Sequence, residues 1–416
     1  MDNLHLLNTV KKGLRALVEL ALEDGGGLLR LAPCWVPRSF LHPGNRLKLH
    51  SKDLYSFGVN RGGIDERWFS STIPAMNEGR VPDEGLSYCV FRSDRFTLAD
   101  AVAACGATIV GNAIWERYGR WPVYAKLFDN LGPIPLHMHQ SSAHAALVGH
   151  EGKPEGYYFP PQYNLTENSF PYSFFGLEPG TSKDTLKRCL REWDDGDNHV
   201  LELSKAYRLR PGTGWVINPG FLHAPGTLCT YEVQWGSDVA AMFQSMVDGK
   251  AIPRSFLLKD VPAEYWKDLD FIIDQLDWQA NIDPEIKKNH YLEPIPISDA
   301  RSDGYIDRWV IYGNFDGKQL FTAKELTLKP RVRCVIKDNG AYGLTVVQGS
   351  GRANKISVSS PTIIHFNELT EDEIFCTEES ARAGVIFENT SSAEDFVTLR
   401  YFGPDANLEA PTQWNE

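Results

Sequence analysis

Apolar residues recur at helical spacing in the first 27 positions. Leu7, Val10, Leu14, Leu17, Val18 and Ala21 share one face of "MDNLHLLNTVKKGLRALVELALEDGGG", which predicts an amphipathic helix ended by glycines. From about residue 30 to 95 the period changes. Short apolar and aromatic runs such as "RLAPCWVP" and "LSYCVFRS", broken by Pro, Gly and Asn, predict strands. "TLADAVAACGATIVGNAIWERYG" returns to helical spacing with Thr97 or Asp100 near its start, and "WPVYAKLFD" then reads as a strand. A further helix is expected in "PGTSKDTLKRCLREWDDGD", opened by Thr181 or Ser182 with Asp184 in its first turn. Strand and turn alternate through "AYRLRPGTGWVINPGFLHAPGTLCTYEVQWGSD". Trp266, Leu269, Ile272, Ile273 and Leu276 then mark one face of a helical connector, and beyond about 295 runs such as "RWVIYGNF" and "DFVTLRYFG" are strands again.

This pattern predicts a mainly β protein with two all-β units and helical insertions. An N-terminal amphipathic helix occupies 1–29 and a first β unit 30–254, with a helical insertion near 181–194. A helical connector covers 255–292 and a second β unit 293–416. A length of 416 residues suits two cores rather than one. The Gly-Ser-Gly at 349–351 sits between strands and is expected to be a turn, not a phosphate loop.

Charge and cysteine usage narrow the partners. A formal charge of −12 with no clustered Lys or Arg excludes nucleic acid as a partner, because displacing phosphate counterions needs such clusters. No stretch approaches the roughly 18 uninterrupted apolar residues of a membrane span. The first helix is therefore expected to dock on its own protein or on a dimer mate, and a homodimer stays open as the assembly. Seven scattered cysteines without a CxxC suit reduced thiols and a cytoplasmic location.

The candidate chemistry is concentrated in "PLHMHQSSAHAALVGHEGKPEGYYF". His137 and His139 are two apart, so a strand would turn both imidazoles to one face. Glu155 follows on a strand begun by Pro154, and His223 arrives in "NPGFLHAPG". Three nitrogens and one carboxylate oxygen suit one divalent transition metal with positions left for substrate or water. His144 and His150 are expected to be solvated or to support the site from behind. His365 has no partner at ligand spacing in the second unit, which is expected to bind no metal. The order HxH, E, H resembles the cupin pattern, and cupins are jelly-roll barrels; the resemblance implies two cupin-like barrels here.

Across about residues 118–240 the resemblance is closer. "WPVYAKLFDNLGPIPLHMHQ", "GKPEGYYF", "WVINPGFLHAPG" and "YEVQWGSD" resemble, in order, the core motifs of type I phosphomannose isomerases. It implies metal ligation by His137, His139, Glu155 and His223, with zinc first and Fe2+, Mn2+, Ni2+ or Co2+ as alternatives. His137 stands where the family has Gln, and Met242 where it has an arginine of the sugar-phosphate site. The implied activity is a metal-dependent aldose–ketose isomerisation of a sugar or sugar phosphate, of the mannose 6-phosphate/fructose 6-phosphate kind. Glu232 is the leading base, Asp238 the second choice, and Lys126 and Lys153 match family lysines beside the substrate. Tyr157, Tyr158, Trp215 and Trp235 are either a sugar-stacking wall or barrel core. Two other readings stay open, a cupin oxygenase or lyase and a sugar-binding cupin without catalysis.

Overall fold

The computed structural model describes residues 2–165, 170–297 and 303–412. It is mainly β. One seven-stranded sheet runs in the order Tyr291–Leu292, Gly214–Ile217, Glu155–Tyr158, Thr230–Trp235, Val123–Phe128, Gly63–Phe69, Cys34–Arg38. Its partner sheet orders Lys205–Arg208, Tyr172–Phe175, His223–Ala224, His137–Met138 and Ala241–Met242. A second pair of sheets, with seven and four strands, is built mainly from residues beyond 294. Strand pairing within all four is antiparallel, as in the jelly rolls of the cupin fold.

The two halves exchange strands. Leu28–Arg30 pairs with Glu373–Cys376 in the second half, whereas Tyr291–Leu292 pairs with Gly214–Ile217 in the first. The largest apolar cluster runs through both, with Trp121 packed edge-on against Phe375 at 5.1 Å. Polar contacts cross the same seam. Arg67 makes a two-pronged buried ion pair with Asp372 at 2.7 and 2.8 Å, and the Tyr158 hydroxyl donates to Glu325.

The predicted helices form where capping chemistry starts them. Thr97 accepts from the Asp100 amide and opens Leu98–Val110; the chain breaks at Gly111, φ 87°, before Asn112–Tyr118. Ser182 accepts from the Thr185 amide and opens Lys183–Arg191. The first helix, Asp2–Gly25, packs on Leu98–Val110 of its own chain and buries Val18 and Ala21, with Leu14 and Leu17 partly covered. Leu7 and Val10 lie outside the residues whose side chains are described. The connector is a series of short helices rather than one amphipathic rod, Leu269–Asp274, Trp278–Asn281 and Ile286–His290, with Asp268 and Asp277 capping the first two. Ile272, Ile273 and Leu276 are buried, but Trp266 is 48% exposed and leaves that face. At 349–351 only Gly349 has positive φ, 75°; Ser350 and Gly351 already lie in the Ser350–Ala353 strand. No helix among the described residues is long and apolar enough to cross a membrane, and all seven cysteines are free thiols.

Candidate metal centre

The two sheets of the first barrel each bring half of a site. On the smaller sheet His137 stands directly opposite both His223 and Met242. On the larger one Glu232 pairs with Lys126 on one side and Tyr157 on the other, and Glu155 lies opposite Gln234. The "NPGF" turn sets His223 in place: Gly220, at φ 78°, donates its amide to the His139 carbonyl at 2.7 Å. A Cβ at Gly220 would stand 2.7 Å from the Asp277 amide nitrogen, so the turn needs glycine for both conformation and space.

His137, His139 and His223 are buried, and one ligand atom from each lies within 4.8 Å of the others. Their tautomers follow from their hydrogen bonds. Each Nδ1 faces a backbone carbonyl: Pro135 at 2.7 Å, Val239 at 2.8 Å and Phe221 at 2.9 Å, respectively. A carbonyl oxygen only accepts, so each Nδ1 carries the proton and each Nε2 turns a lone pair inward. Glu155, fully buried, meets two of those lone pairs. Its Oε2 is 3.0 Å from His139 Nε2 and its Oε1 is 3.1 Å from His223 Nε2. Two acceptors at such range need something positive between them: at His139 the Lys153 ammonium lies 3.2 Å from Nε2 and 2.9 Å from Glu155 Oε2, whereas His223 Nε2 has no hydrogen-bond partner. Donors each about 2.1 Å from a common cation would stand about 3.0–3.4 Å apart at right or tetrahedral angles. The residues present therefore fit a metal ion, and they fit it as neutral imidazoles with one carboxylate.

The electrostatics agree. Burial, reinforced by the other imidazoles, holds His137 well below the ordinary imidazole range, and burial lowers His139 to about 4. Burial would raise the Glu155 carboxyl, yet the His139 ring, where it carries a proton, and the Lys153 ammonium reverse this and hold it well below the usual carboxylate range. With His139 neutral, Lys153 is the resident cation, 2.9 Å from Glu155 Oε2. The Tyr157 hydroxyl also donates to Glu155 Oε1.

All four residues of the proposed proton-transfer machinery line the same 760 Å³ cavity as His137, His139 and Glu155. Glu232 Oε1 lies 3.3 Å from Lys126 Nζ and 3.6 Å from Lys153 Nζ. Burial and the Glu155 charge push Glu232 up to about 8 against the pull of both lysines. Asp238 is different. Burial would raise it, but Arg38, 3.3 and 3.4 Å away through two nitrogens, holds it far below the usual range. Both lysines are buried, not solvated. His144 bonds to Ser141 on the short helix Ser142–Ala146, His150 is exposed, and neither joins the histidine group.

Several lining residues escaped the sequence reading. Arg38 and Glu66 bond to each other at 3.1 Å, and Glu66 also reaches Lys126 at 3.2 Å. Both lie far upstream of the motif-bearing stretch; the available signal was a charge within a short strand of otherwise buried residues. Arg254, at the end of the first unit, and Phe256, Lys259 and Trp266 of the connector also line the cavity. Of the four aromatics weighed as a sugar wall, only Tyr157 lines the cavity. Trp215 stacks on Phe175 at 4.3 Å in the core, Tyr158 turns toward the second half, and Trp235 bonds to Glu151.

No family model and no curated protein sequence matches the chain. Solved structures do. The mannose 6-phosphate isomerase from Bacillus subtilis superposes with a TM-score of 0.58 at 15% identity, over 90% of this chain and 99% of that one. A zinc-bound mannose 6-phosphate isomerase gives 0.58 at 13% identity, covering 91% and 99%. A phosphomannose isomerase variant from Salmonella typhimurium gives 0.57 at 13% identity, with the same coverage. At these identities the likeness is one of architecture, and over about nine-tenths of its length the chain has the cupin fold of the mannose 6-phosphate isomerases.

Proposed function

We propose that this chain is a metal-dependent aldose–ketose isomerase acting on a sugar or sugar phosphate of the mannose 6-phosphate/fructose 6-phosphate kind. One observation carries the reading: Glu232, flanked by Lys126 and Lys153, shares a cavity with His137, His139 and Glu155, and His223 completes the histidine group beside them. His137, His139, His223 and Glu155 would hold the metal. Bound there, a divalent cation supplies Lewis-acid polarisation of the sugar oxygens and offsets the Glu155 charge that keeps Glu232 protonated.

The chain's own residues account for the rest. Glu232 removes the proton from C2, whose electron pair forms the C1–C2 double bond while the carbonyl pair moves onto O1. O1 takes up the proton that the C2 hydroxyl gives up, and as O2 becomes the new carbonyl the double-bond pair takes the proton back from Glu232 at C1. Lys126 and Lys153 donate hydrogen bonds to the oxygens on which negative charge develops. Asp238 is the weaker base because Arg38 stabilises its ionised form.

Met242 leaves the anion end to other groups. Arg254 and Lys259 flank the Ser255–Leu258 helix, which packs on the Ala241–Met242 strand, and both line the cavity. They are the candidates to meet a phosphate. The test is metal-replete protein incubated with free and phosphorylated aldoses and assayed for ketose. Ketose formation that disappears after chelation supports the reading; no turnover of any aldose sinks it.

A further inference from the structure

Among the described residues there is a second group with metal-ligand chemistry, remote in sequence from the first: His50, Asp53 and His365, each offering one donor atom within 4.8 Å of the others. His365 has no neighbour at ligand spacing along the chain; the fold brings it to residues more than 300 positions upstream. We propose that His50, Asp53 and His365 form a second, surface divalent-metal site that clasps the N-terminal half of the chain to the second barrel.

The donors are held by backbone, not by chance rotamers. Lys48–His50 and Ile364 form a short bridge: Ile364 donates its amide to the Lys48 carbonyl and His50 donates its own to the Ile364 carbonyl, both at 2.8 Å. Asp53 closes the 3-10 turn Ser51–Asp53, its amide bonded to the His50 carbonyl at 2.8 Å. Its Oδ2 accepts from His365 Nδ1 at 3.0 Å and from the Phe366 amide at 3.2 Å. Glu368 fixes the other side, accepting the His365 amide at 2.7 Å.

The two imidazole rings stack at 4.6 Å and 24°. That arrangement places two nitrogen donors beside a carboxylate at the surface, where an ion can enter and keep water in its remaining positions. Two imidazoles and one carboxylate are a ligand set for Zn2+ and neighbouring transition metals, and a poor one for Mg2+ or Ca2+, which want oxygen. Preorganised anchors lower the ordering cost of such a site. Because Asp53 and His365 are 312 residues apart, one ion there adds a cross-link between the halves to the exchanged strands, the apolar cluster and the buried Arg67–Asp372 pair.

This inference does not rest on the proposed isomerase activity, and its test separates the two. Chelated full-length protein is titrated with Zn2+ alone, and bound metal is counted by elemental analysis after removal of free ion. Wild type is expected to bind two equivalents, the second more weakly. His50→Gln and His365→Ala are each expected to bind one and to keep wild-type turnover of any aldose the parent converts. His137→Ala, which disables the buried group, is expected to retain the second equivalent. The second equivalent should raise the Tm of wild type and leave that of His365→Ala unchanged. A single equivalent in wild type, or two in both His50→Gln and His365→Ala, would overturn the proposal.

Discussion

The Nε2 of His223 stands 3.1 Å from Glu155 Oε1 while its Nδ1 donates to the Phe221 carbonyl, so the imidazole offers Glu155 a lone pair rather than a proton. The arrangement makes sense around a cation, and its removal should be measurable. His223→Ala or Glu155→Gln should weaken retention of Zn2+ loaded into the buried site at least tenfold, read as metal content after dialysis against a graded chelator. Unchanged retention in both variants would contradict the assignment.

Glu232 and Asp238 line one cavity but differ in environment, and substitution should separate them. Glu232→Gln is expected to lower kcat about 10²–10⁴-fold with metal content intact. Asp238→Asn should act mainly on stability, because it removes one of the two carboxylates facing buried Arg38, an effect of about 1.5–3 kcal/mol. Thermal denaturation and steady-state kinetics on the same two proteins check this. The opposite pattern would make Asp238 the base.

The anion end gives a substrate-dependent prediction. Arg254→Ala and Lys259→Ala should raise KM for a sugar phosphate about tenfold, and leave KM for the corresponding free sugar within about twofold. Equal effects on both sugars would place these cations in general support of the cavity.

Glu373 predicts a pH dependence of stability away from the site. It is fully buried, accepts from the Ser70 amide at 2.8 Å, and burial pushes its carboxyl up to about 8 despite Arg67. A carboxyl raised on folding contributes its full stabilisation below the unfolded value of 4.5 and loses it as pH climbs to about 8. Wild type should therefore lose Tm relative to Glu373→Gln between pH 5 and pH 8.5. A constant difference between the two would show that Glu373 is ionised in the folded protein.

Sequence pattern was most informative where physics is local. Helical spacing and Ser or Thr caps located Leu98–Val110 and Lys183–Arg191, and the HxH period placed His137 and His139 on one face. Glu155 and His223 were legible because each sits in a short motif with distinctive proline and glycine neighbours. What local pattern does not carry is long-range register. Nothing near Leu28–Arg30 reveals that it completes a sheet with Glu373–Cys376, or that Arg38 will meet Asp238. His365 needed the Lys48–Ile364 bridge to find His50. Trp266 illustrates the converse, since its spacing assigned it to a buried helical face and the break-up of the connector turned it into a cavity wall.

On the proposed function, one cation seated among His137, His139, His223 and Glu155 is required for carbonyl transfer within a sugar. The most direct measurement titrates chelated His365→Ala protein, which lacks the proposed surface site, with Zn2+ while ketose formation from mannose 6-phosphate and free mannose is followed. Activity should rise in proportion to metal up to one equivalent and then stay flat, with no activity in the same titration of His223→Ala. Full turnover in the chelated protein, or tight occupancy of the site without turnover of either sugar, would rule out a metal-dependent isomerase of this kind.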